Sequence, residues 1–209
     1  AESDKKDLGC HTGTISDAFL ELYRAGKLTN AHKELDTGLS AWNLAMGSQE
    51  LYDWLDAEPQ LFHPGDLDYI HSVERISKFS NVISINGGVQ LDLMGQENAE
   101  STGTRQLSGV GGQMDFLEGA YRSKGGKGFI CINSSRVTKD GERKSNILAT
   151  IPGGSTISAP RTMIQYVATE YGIASLSGKT LRERAEAMAS IAHPDFREEL
   201  MKYAQENFK

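Results

Sequence analysis

Short apolar runs alternate with helical patterns along the chain, and this order constrains the fold more than any other feature. GFICIN (128–133) and MIQYVAT (163–169) have the length and the branched or aromatic residues of buried strands. Helical patterns cover residues 113–123, 180–192 and 194–207. Interleaved strands and helices favour an α/β fold with a largely parallel sheet and helices on both faces.

The earlier part of the chain continues this pattern. Residues 16–25 have a helical apolar face, with Ser16 as the expected N-cap and Gly26 as the stop. A second helix is predicted from residue 49 to Glu58, before Pro59. Residues 81–93 contain two apolar runs, which we interpret as strands with a break between them.

The length of 209 residues and the absence of a visible linker predict one domain over residues 1–209. The chain does not begin with Met, and patterned sequence starts almost at once. We therefore expect it to be a piece of a longer protein.

Charge and cysteine content exclude several classes of protein. The 22 Lys and Arg residues against 28 Asp and Glu residues give a net charge of −6, which argues against a nucleic-acid partner. No apolar run approaches the length of about 18 residues that a membrane span needs, and the charged start is unlike a secretory signal. Two cysteines do not make a disulfide framework, which favours a reducing cytoplasm.

A glycine-rich segment, SGVGGQMDF (108–116), precedes the helix predicted at 113–123. Gly109, Val110, Gly111 and Gly112 would expose backbone N–H groups at a helix N-terminus, where a phosphate or a developing oxyanion can bind. The alternative is a tight turn in which glycine avoids strain. The pattern matches neither a dinucleotide-binding fingerprint nor a P-loop.

A second glycine pair lies in RSKGGK (122–127), where Arg122, Lys124 and Lys127 flank Gly125 and Gly126. This segment is a candidate binder of nucleotide-like phosphates. The alternative is a helix C-terminus, with cations that complement the helix dipole and Gly125 as a left-handed cap.

Single residues add further candidates. Glu170 follows the strand predicted at 163–169, and the carboxyl end of a strand is where ligands bind in α/β sheets. The alternative is a solvated loop acid. His11 lies between a short run and a helix start and is a candidate pocket residue, whereas its neighbour Cys10 has the features of a small buried residue. The histidines have no metal-ligand spacing, so no metal site is expected.

Taken together, these segments resemble the C-terminal half of the acetyl-CoA hydrolase/transferase family, which includes 4-hydroxybutyrate and butyryl-CoA:acetate CoA-transferases. The resemblance runs from about Asp7 to Leu200. The segments that carry it are DLGCHTG (7–13), LAMGSQELYDWLD (44–56), SGVGGQMDF (108–116), SKGGK (123–127), VATEYGIASLSGKTLRERA (167–185) and IAHPDFREEL (191–200).

The resemblance implies a CoA-transferase (NagB/RpiA-like) fold and an active site between two such halves, of which the N-terminal one is absent here. It implies acyl-CoA and small carboxylates as substrates, with no bound cofactor. The GVGG loop would supply an oxyanion site. Glu170 and Asn86 would lie near the reacting centre, and His11 and the 124–126 segment would contact the CoA thioester. A self-associated form is also compatible with a missing half.

One position departs from the family. The family's nucleophilic Glu, which forms an anhydride and then a glutamyl-CoA thioester, follows His-Thr or His-Ser, and here Gly13 follows His11-Thr12. Asp17 is the nearest acid and is expected to serve a helix terminus instead. Three interpretations stay open: transfer or hydrolysis with another group, an acyl-CoA binding module or subunit without turnover, or a different acyl-CoA chemistry in the same pocket.

Overall fold

The computed structural model describes residues 4–208, which divide into two compact units. The first unit comprises the residues up to Val82 together with Arg122–Gly126, and the second comprises Ile83–Tyr121 and the residues from Lys127 onward. Each unit has a hydrophobic core of its own. The single domain expected over residues 1–209 stays a prediction.

A three-stranded parallel sheet lies at the centre of the first unit. Its strands, in spatial order, are β1 (His11–Ile15), β2 (Ser40–Ala45) and β3 (Phe62–Pro64). The helices of this unit are α1 (Asp17–Arg24), α2 (Gln49–Ala57), α3 (Leu67–Ile70) and α4 (Val73–Ser77). Its core is formed by apolar side chains of the sheet and of the first two helices, namely Ile15, Leu20, Leu51, Trp54 and Phe62.

The helix boundaries predicted here agree closely with the structure, but one cap differs. Ser48 caps α2, because its hydroxyl accepts the Leu51 N–H at 3.4 Å. Ser16 occupies the N-cap position of α1 without making a side-chain hydrogen bond. Gly26 adopts a left-handed conformation with φ of 64°, as expected of a helix stop.

The second unit is richer in strands, most of them short. The strands are β4 (Ile83–Gly87), β5 (Gln90–Asp92), β6 (Glu97–Asn98), β7 (Ser101–Thr102), β8 (Arg105–Gln106), β9 (Lys127–Cys131), β10 (Ser135–Val137), β11 (Arg143–Ser145), β12 (Ile147–Leu148), β13 (Tyr166–Thr169) and β14 (Gly172–Ser175). The helices are α5 (Gln113–Arg122), whose last residue belongs to the first unit, α6 (Leu181–Ser190) and α7 (Pro194–Asn207).

The largest sheet has the order β14-β13-β9-β4. β4, β9 and β13 run parallel, and β14 is antiparallel to β13. Smaller pairings complete the unit: β12-β5-β6, β7-β8 and β10-β11. The predicted α/β class with parallel strands is confirmed, although the strands of the whole chain form several sheets rather than one.

The two faces of the β14-β13-β9-β4 sheet differ. Ile130, Val167 and Ala174 point to the inner face and pack with α5, α6 and α7 in the core. On the outer face Ile85 is 68% exposed and Ile173 is 62% exposed. The helices expected on both faces therefore cover the inner face within this unit, and the outer face presents apolar side chains.

Within residues 4–208 there is no helix with the length and apolar character required to cross a bilayer. Cys10 and Cys131 are both free thiols, the first buried and the second exposed.

Candidate functional site

The parallel strands of the second unit end at one edge of the sheet, and polar side chains collect there. Asn86 lies near the end of β4, Ser134 follows β9, and Glu170 comes directly after β13. Because the carboxyl ends of parallel strands meet at the same edge, this edge is the expected ligand side of an α/β sheet.

The carboxylate of Glu170 is held by Ser134. The Ser134 N–H donates to Glu170 Oε2 at 2.9 Å, and the Ser134 hydroxyl donates to Oε1 at 2.6 Å. Ser134 is fully buried, whereas Glu170 is exposed. A buried residue thus fixes the orientation of an exposed acid, which a solvated loop acid would not require.

These contacts keep Glu170 ionised. Burial on its own would raise the pKa of Glu170, but the hydrogen bonds from the Ser134 side chain and backbone outweigh it, with a smaller contribution from His193. The net effect lowers the pKa below its ordinary value. An ionised, oriented carboxylate can accept a proton from water or attack an electrophilic carbon.

Asn86 occupies the same edge two strands away from Glu170. It pairs with Ile130 of β9, and its amide donates to the Ser84 hydroxyl at 2.8 Å. Two strand spacings correspond to about 10 Å between strand axes. The structure therefore brings Asn86 and Glu170 to one edge but not into direct contact.

The glycine loop, residues 109–112, precedes α5 and is mostly exposed. Gly111 has φ of 62°, and a Cβ at Gly109 or Gly111 would have no atom within 4 Å. Val110 is 63% exposed. The loop is therefore open on its outer side, and the conformation of Gly111 is one that other residues adopt at a cost.

His11 is placed in the first unit, as the first residue of β1 rather than in a connecting loop. It lines a cavity of about 320 Å³ together with Lys33, Phe79 and Asn81. The His11 Nε2–H donates to the carbonyl of Ile70 at 2.8 Å, and its ring lies 5.0 Å from the Phe79 ring.

Burial determines the protonation states of His11 and its sequence neighbour Cys10. It lowers the pKa of His11 to about 4, and the charge of Lys33 adds to the effect. It raises the pKa of the Cys10 thiol to about 12, against the opposing influence of Lys33 and Ser40. His11 is thus a neutral pocket residue, and Cys10 is an inert buried thiol rather than a nucleophile.

The segment 124–126 lies beside the same cavity. The Asn81 N–H donates to the Lys124 carbonyl at 2.8 Å, and a Cβ on Gly125 would approach Asn81 Oδ1 to 2.5 Å. Gly125 has φ of 78°, and Gly126 donates to the Ser123 carbonyl at 3.0 Å. Asn81 therefore lines the cavity with His11 and is hydrogen-bonded to the 124–126 segment. The left-handed conformation of Gly125 also fits the alternative of a helix terminus.

Gly13 lies in the middle of β1 and offers no side chain for catalysis. Asp17, the nearest acid, begins α1 and is already engaged: its carboxylate accepts the Ser48 hydroxyl at 2.6 Å and the Ser48 N–H at 3.1 Å. Those hydrogen bonds lower its pKa. Asp17 is the helix-terminus acid that the sequence predicts, and it acts at α2 through Ser48.

Two polar residues of the second unit, Ser134 and Glu97, were not selected from the sequence as candidates. Ser134 follows the buried strand β9, so the argument that selected Glu170 could also have found it. Glu97 is fully buried at the start of β6 and contacts Gln113. It lies in a polar stretch whose residue types resemble a loop, and no periodic signal marks it.

In the part of the chain that is described, no group of three or more His, Cys, Asp or Glu residues is arranged to hold a metal ion. The candidate site residues fall into both units. His11, Gly13 and 124–126 belong to the first unit, whereas Asn86, 109–112 and Glu170 belong to the second.

Comparison with known proteins agrees with the resemblance. The model of the acetyl-CoA hydrolase/transferase C-terminal domain matches residues 47–204, more than half of the chain. The butyryl-CoA:acetate CoA-transferase of Anaerostipes caccae is 45% identical over 205 residues, which cover 98% of this chain and 46% of the relative. The family model begins after Gly13, but the alignment with this relative extends over nearly the whole chain.

Solved structures show the same correspondence. RipA from Yersinia pestis has a TM-score of 0.87 at 39% identity, with 97% of this chain and 45% of that chain covered. The 4-hydroxybutyrate CoA-transferase from Porphyromonas gingivalis has a TM-score of 0.80 at 37% identity, with 97% and 46% covered. The chain spans about half the length of the relatives it matches. It belongs to the acetyl-CoA hydrolase/transferase family, in the part that corresponds to the C-terminal domain.

Proposed function

We propose that the chain is the second half of an enzyme that transfers CoA between short-chain acyl-CoA thioesters and carboxylates, or hydrolyses the thioester. The observation that carries this proposal is the exposed Glu170 carboxylate, which Ser134 keeps oriented and ionised at the carboxyl edge of the sheet. Family membership supports this choice of substrate class.

Glu170 can serve either reaction. In hydrolysis it takes a proton from water while the water oxygen attacks the thioester carbonyl, and the departing thiolate then takes that proton. In transfer its oxygen attacks the carbonyl to give an anhydride and CoA thiolate. The thiolate attacks the glutamyl carbonyl, which releases the first acid and leaves a glutamyl thioester for the acceptor carboxylate. Neither route needs a side chain at position 13.

The other candidate residues have supporting roles in this proposal. The open glycine loop 109–112 stabilises the oxyanion that forms at the thioester carbonyl, and Asn86 donates a hydrogen bond near the reacting centre. The CoA part of the substrate contacts His11 and Lys124-Gly125-Gly126 beside the first-unit cavity. Coenzyme A enters as a substrate, and no resident cofactor is required.

A second polypeptide segment completes the enzyme in this proposal. Relatives are about twice as long as this chain. The outer sheet face with Ile85 and Ile173 is an apolar surface of the type that parallel sheets normally cover. We infer that the N-terminal half of the parent protein, or a further copy in a homo-oligomer, is needed for turnover. Two free thiols support a cytoplasmic setting.

A second candidate function rests on Gly13. Since the family position for the nucleophile has no side chain, the chain could bind acyl-CoA as a module or subunit without turning it over. Removal of a nucleophile commonly costs many orders of magnitude in rate.

One experiment separates the two functions. The protein with its second half is incubated with butyryl-CoA and acetate, and both acetyl-CoA and free thiol are followed in the wild type and in Gly13→Glu, with these 209 residues alone as a control. The proposed enzyme forms acetyl-CoA or thiol in the wild type, and the 209 residues alone form little.

A binding module gives the opposite pattern. It shows saturable butyryl-CoA binding with neither product in the wild type, and formation of acetyl-CoA only after Gly13→Glu. Robust turnover by the 209 residues alone would contradict the need for a second half.

A further inference from the structure

Glu97 is a buried acid without full hydrogen bonding. Its side chain is fully buried, and its Oε1 atom has no hydrogen-bond partner among the residues that the structure describes. Its other oxygen, Oε2, accepts a hydrogen bond from Gln113 Nε2. Buried carboxyl groups are rare unless they are paired, so an unsatisfied one requires a reason.

The position of Glu97 connects two elements of the candidate site. Gln113 is the first residue of α5 and directly follows the glycine loop 109–112. On the other side, a Cβ on Gly88 would lie 2.9 Å from Glu97 Oε1, and Gly88 follows the last residue of β4. Glu97 therefore lies between the glycine loop and the strand end that carries Asn86.

The surroundings of Glu97 disfavour its charged form. Burial, opposed by the hydrogen bond from Gln113 and aided to a smaller degree by the negative charge of Glu100, raises the pKa of Glu97 to about 7. A carboxyl group with this pKa changes its charge within the physiological range.

Other titratable groups occupy the neighbouring elements. Asp92 on β5 accepts hydrogen bonds from the Gln96 backbone and side chain, at 2.9 and 2.7 Å. Asp115 lies in the first turn of α5. Arg161 follows Ala159, the backbone partner of Glu97, and directs its guanidinium to the Met94 sulfur. Glu100 is the charged residue that contributes to the pKa of Glu97.

We propose that Glu97 is a positioning residue whose protonation state, transmitted through Gln113, sets the conformation of the glycine loop before α5. Its consequence for acyl-CoA chemistry rests on the proposed function. The coupling itself concerns only the free protein.

The direction of the coupling follows from the N-terminus of α5. The first N–H groups of a helix lack intrahelical partners, and the helix dipole attracts an anion to them. An ionised Glu97 accepts a stronger, charge-assisted hydrogen bond from the Gln113 side chain and so draws the start of α5, with these N–H groups, inward. A neutral Glu97 leaves them available to an oxyanion on the open side of the loop.

The test follows the backbone amide signals of Gly109, Gly111 and Gly112 by NMR between pH 5 and 9, without substrate. In the wild type these signals should shift with a midpoint near pH 7. In Glu97→Gln, which keeps the hydrogen-bond acceptor for Gln113 but cannot ionise, that transition should be absent. In Glu100→Gln the midpoint should move to lower pH.

Two further variants test whether the transition depends on the contact between Glu97 and Gln113. Gln113→Met breaks the link without removing the acid, so the loop signals should lose the transition even if Glu97→Gln folds poorly. His193→Gln should keep it, since His193 caps α7 and is not among the groups that influence the pKa of Glu97. A transition that persists in Glu97→Gln and in Gln113→Met, or its absence in the wild type, would overturn the proposal.

An activity readout joins the coupling to the proposed function. kcat/KM for butyryl-CoA should fall as pH rises through 7 in the wild type, and that fall should disappear in Glu97→Gln. A purely structural role would change stability without removing the pH dependence. The NMR titration needs no turnover. A protein without activity would therefore contradict the proposed function, whereas the coupling would still be tested by the NMR signals.

Discussion

At the scale of single residues, the site depends on how a few polar side chains are held. Glu170 is exposed, yet the buried Ser134 fixes both of its oxygens. Gly13 and Asp17 show the opposite situation: one has no side chain, and the other is committed to Ser48. Asp17 is engaged at a helix terminus, so Glu170 is the acid that the proposed function uses.

Gly111 provides a test of the glycine loop. Gly111→Ala should lower kcat/KM about tenfold, because the left-handed conformation is less accessible to alanine and the loop would reorient its N–H groups. The loss of unfolding free energy from the same change should be about 1 kcal/mol. Steady-state kinetics and chemical denaturation measure the two effects.

Gly103→Ala is the matched control. Gly103 has φ of 57° and open space around a Cβ, as Gly111 does, but it lies in the turn between β7 and β8. It should lose similar stability and keep its activity. Equal losses of activity in both variants would show that the effect of Gly111 is one of stability alone.

Single residues also mark the limit of prediction from sequence. Glu170 was selected as a candidate because it follows a recognisable strand, and its role stays a prediction. Glu97 was not selected, since its burial depends on contacts with Gly88 and Gln113, which local sequence does not reveal. The hydrogen bonds between Asp17 and Ser48 likewise depend on the pairing of β1 with β2, which local sequence does not reveal.

At the scale of elements, helices with strong local signals were predicted well and short strands were not. Thr180 and Glu183 form a capping box at the start of α6, and Pro194 begins α7. β1 and β3 carry polar residues and few apolar ones, so they lack the periodicity of a strand. Their strand conformation comes from parallel pairing with β2, which is a tertiary effect.

Arg184 shows how a helix is fixed by contacts outside local sequence. Its guanidinium donates from α6 to the carbonyls of Met94, Leu176 and Arg161 at 2.8, 2.7 and 2.9 Å. Arg184→Ala would leave buried carbonyls without donors, so we expect a loss of about 3 kcal/mol in the free energy of unfolding. Urea denaturation measures it.

Arg182→Ala is the control on the same helix. Arg182 is exposed and pairs with Glu186 at 2.9 Å, so its removal should change stability little. Similar losses for the two variants would contradict the importance of the buried carbonyl contacts.

At the scale of the whole molecule, the chain consists of two compact units, each with candidate residues of its own. The first unit contains the His11 cavity and the adjoining 124–126 segment, and the second contains the edge with Glu170 and the glycine loop. The family resemblance predicted the fold class correctly because its motifs extend over most of the chain. The division into two units could not be predicted from composition, because no linker sequence separates them.

The most direct test of this account is the kcat/KM of Glu170→Gln for butyryl-CoA in the protein with its second half, with Glu206→Gln as an exposed control on α7. Loss of a general base or nucleophile should lower kcat/KM at least about 100-fold. Ser134→Ala should raise the pKa of Glu170 and shift the acidic limb of the activity profile to higher pH. A Glu170→Gln rate within twofold of the wild type would contradict the assignment of the chemistry to this edge of the sheet.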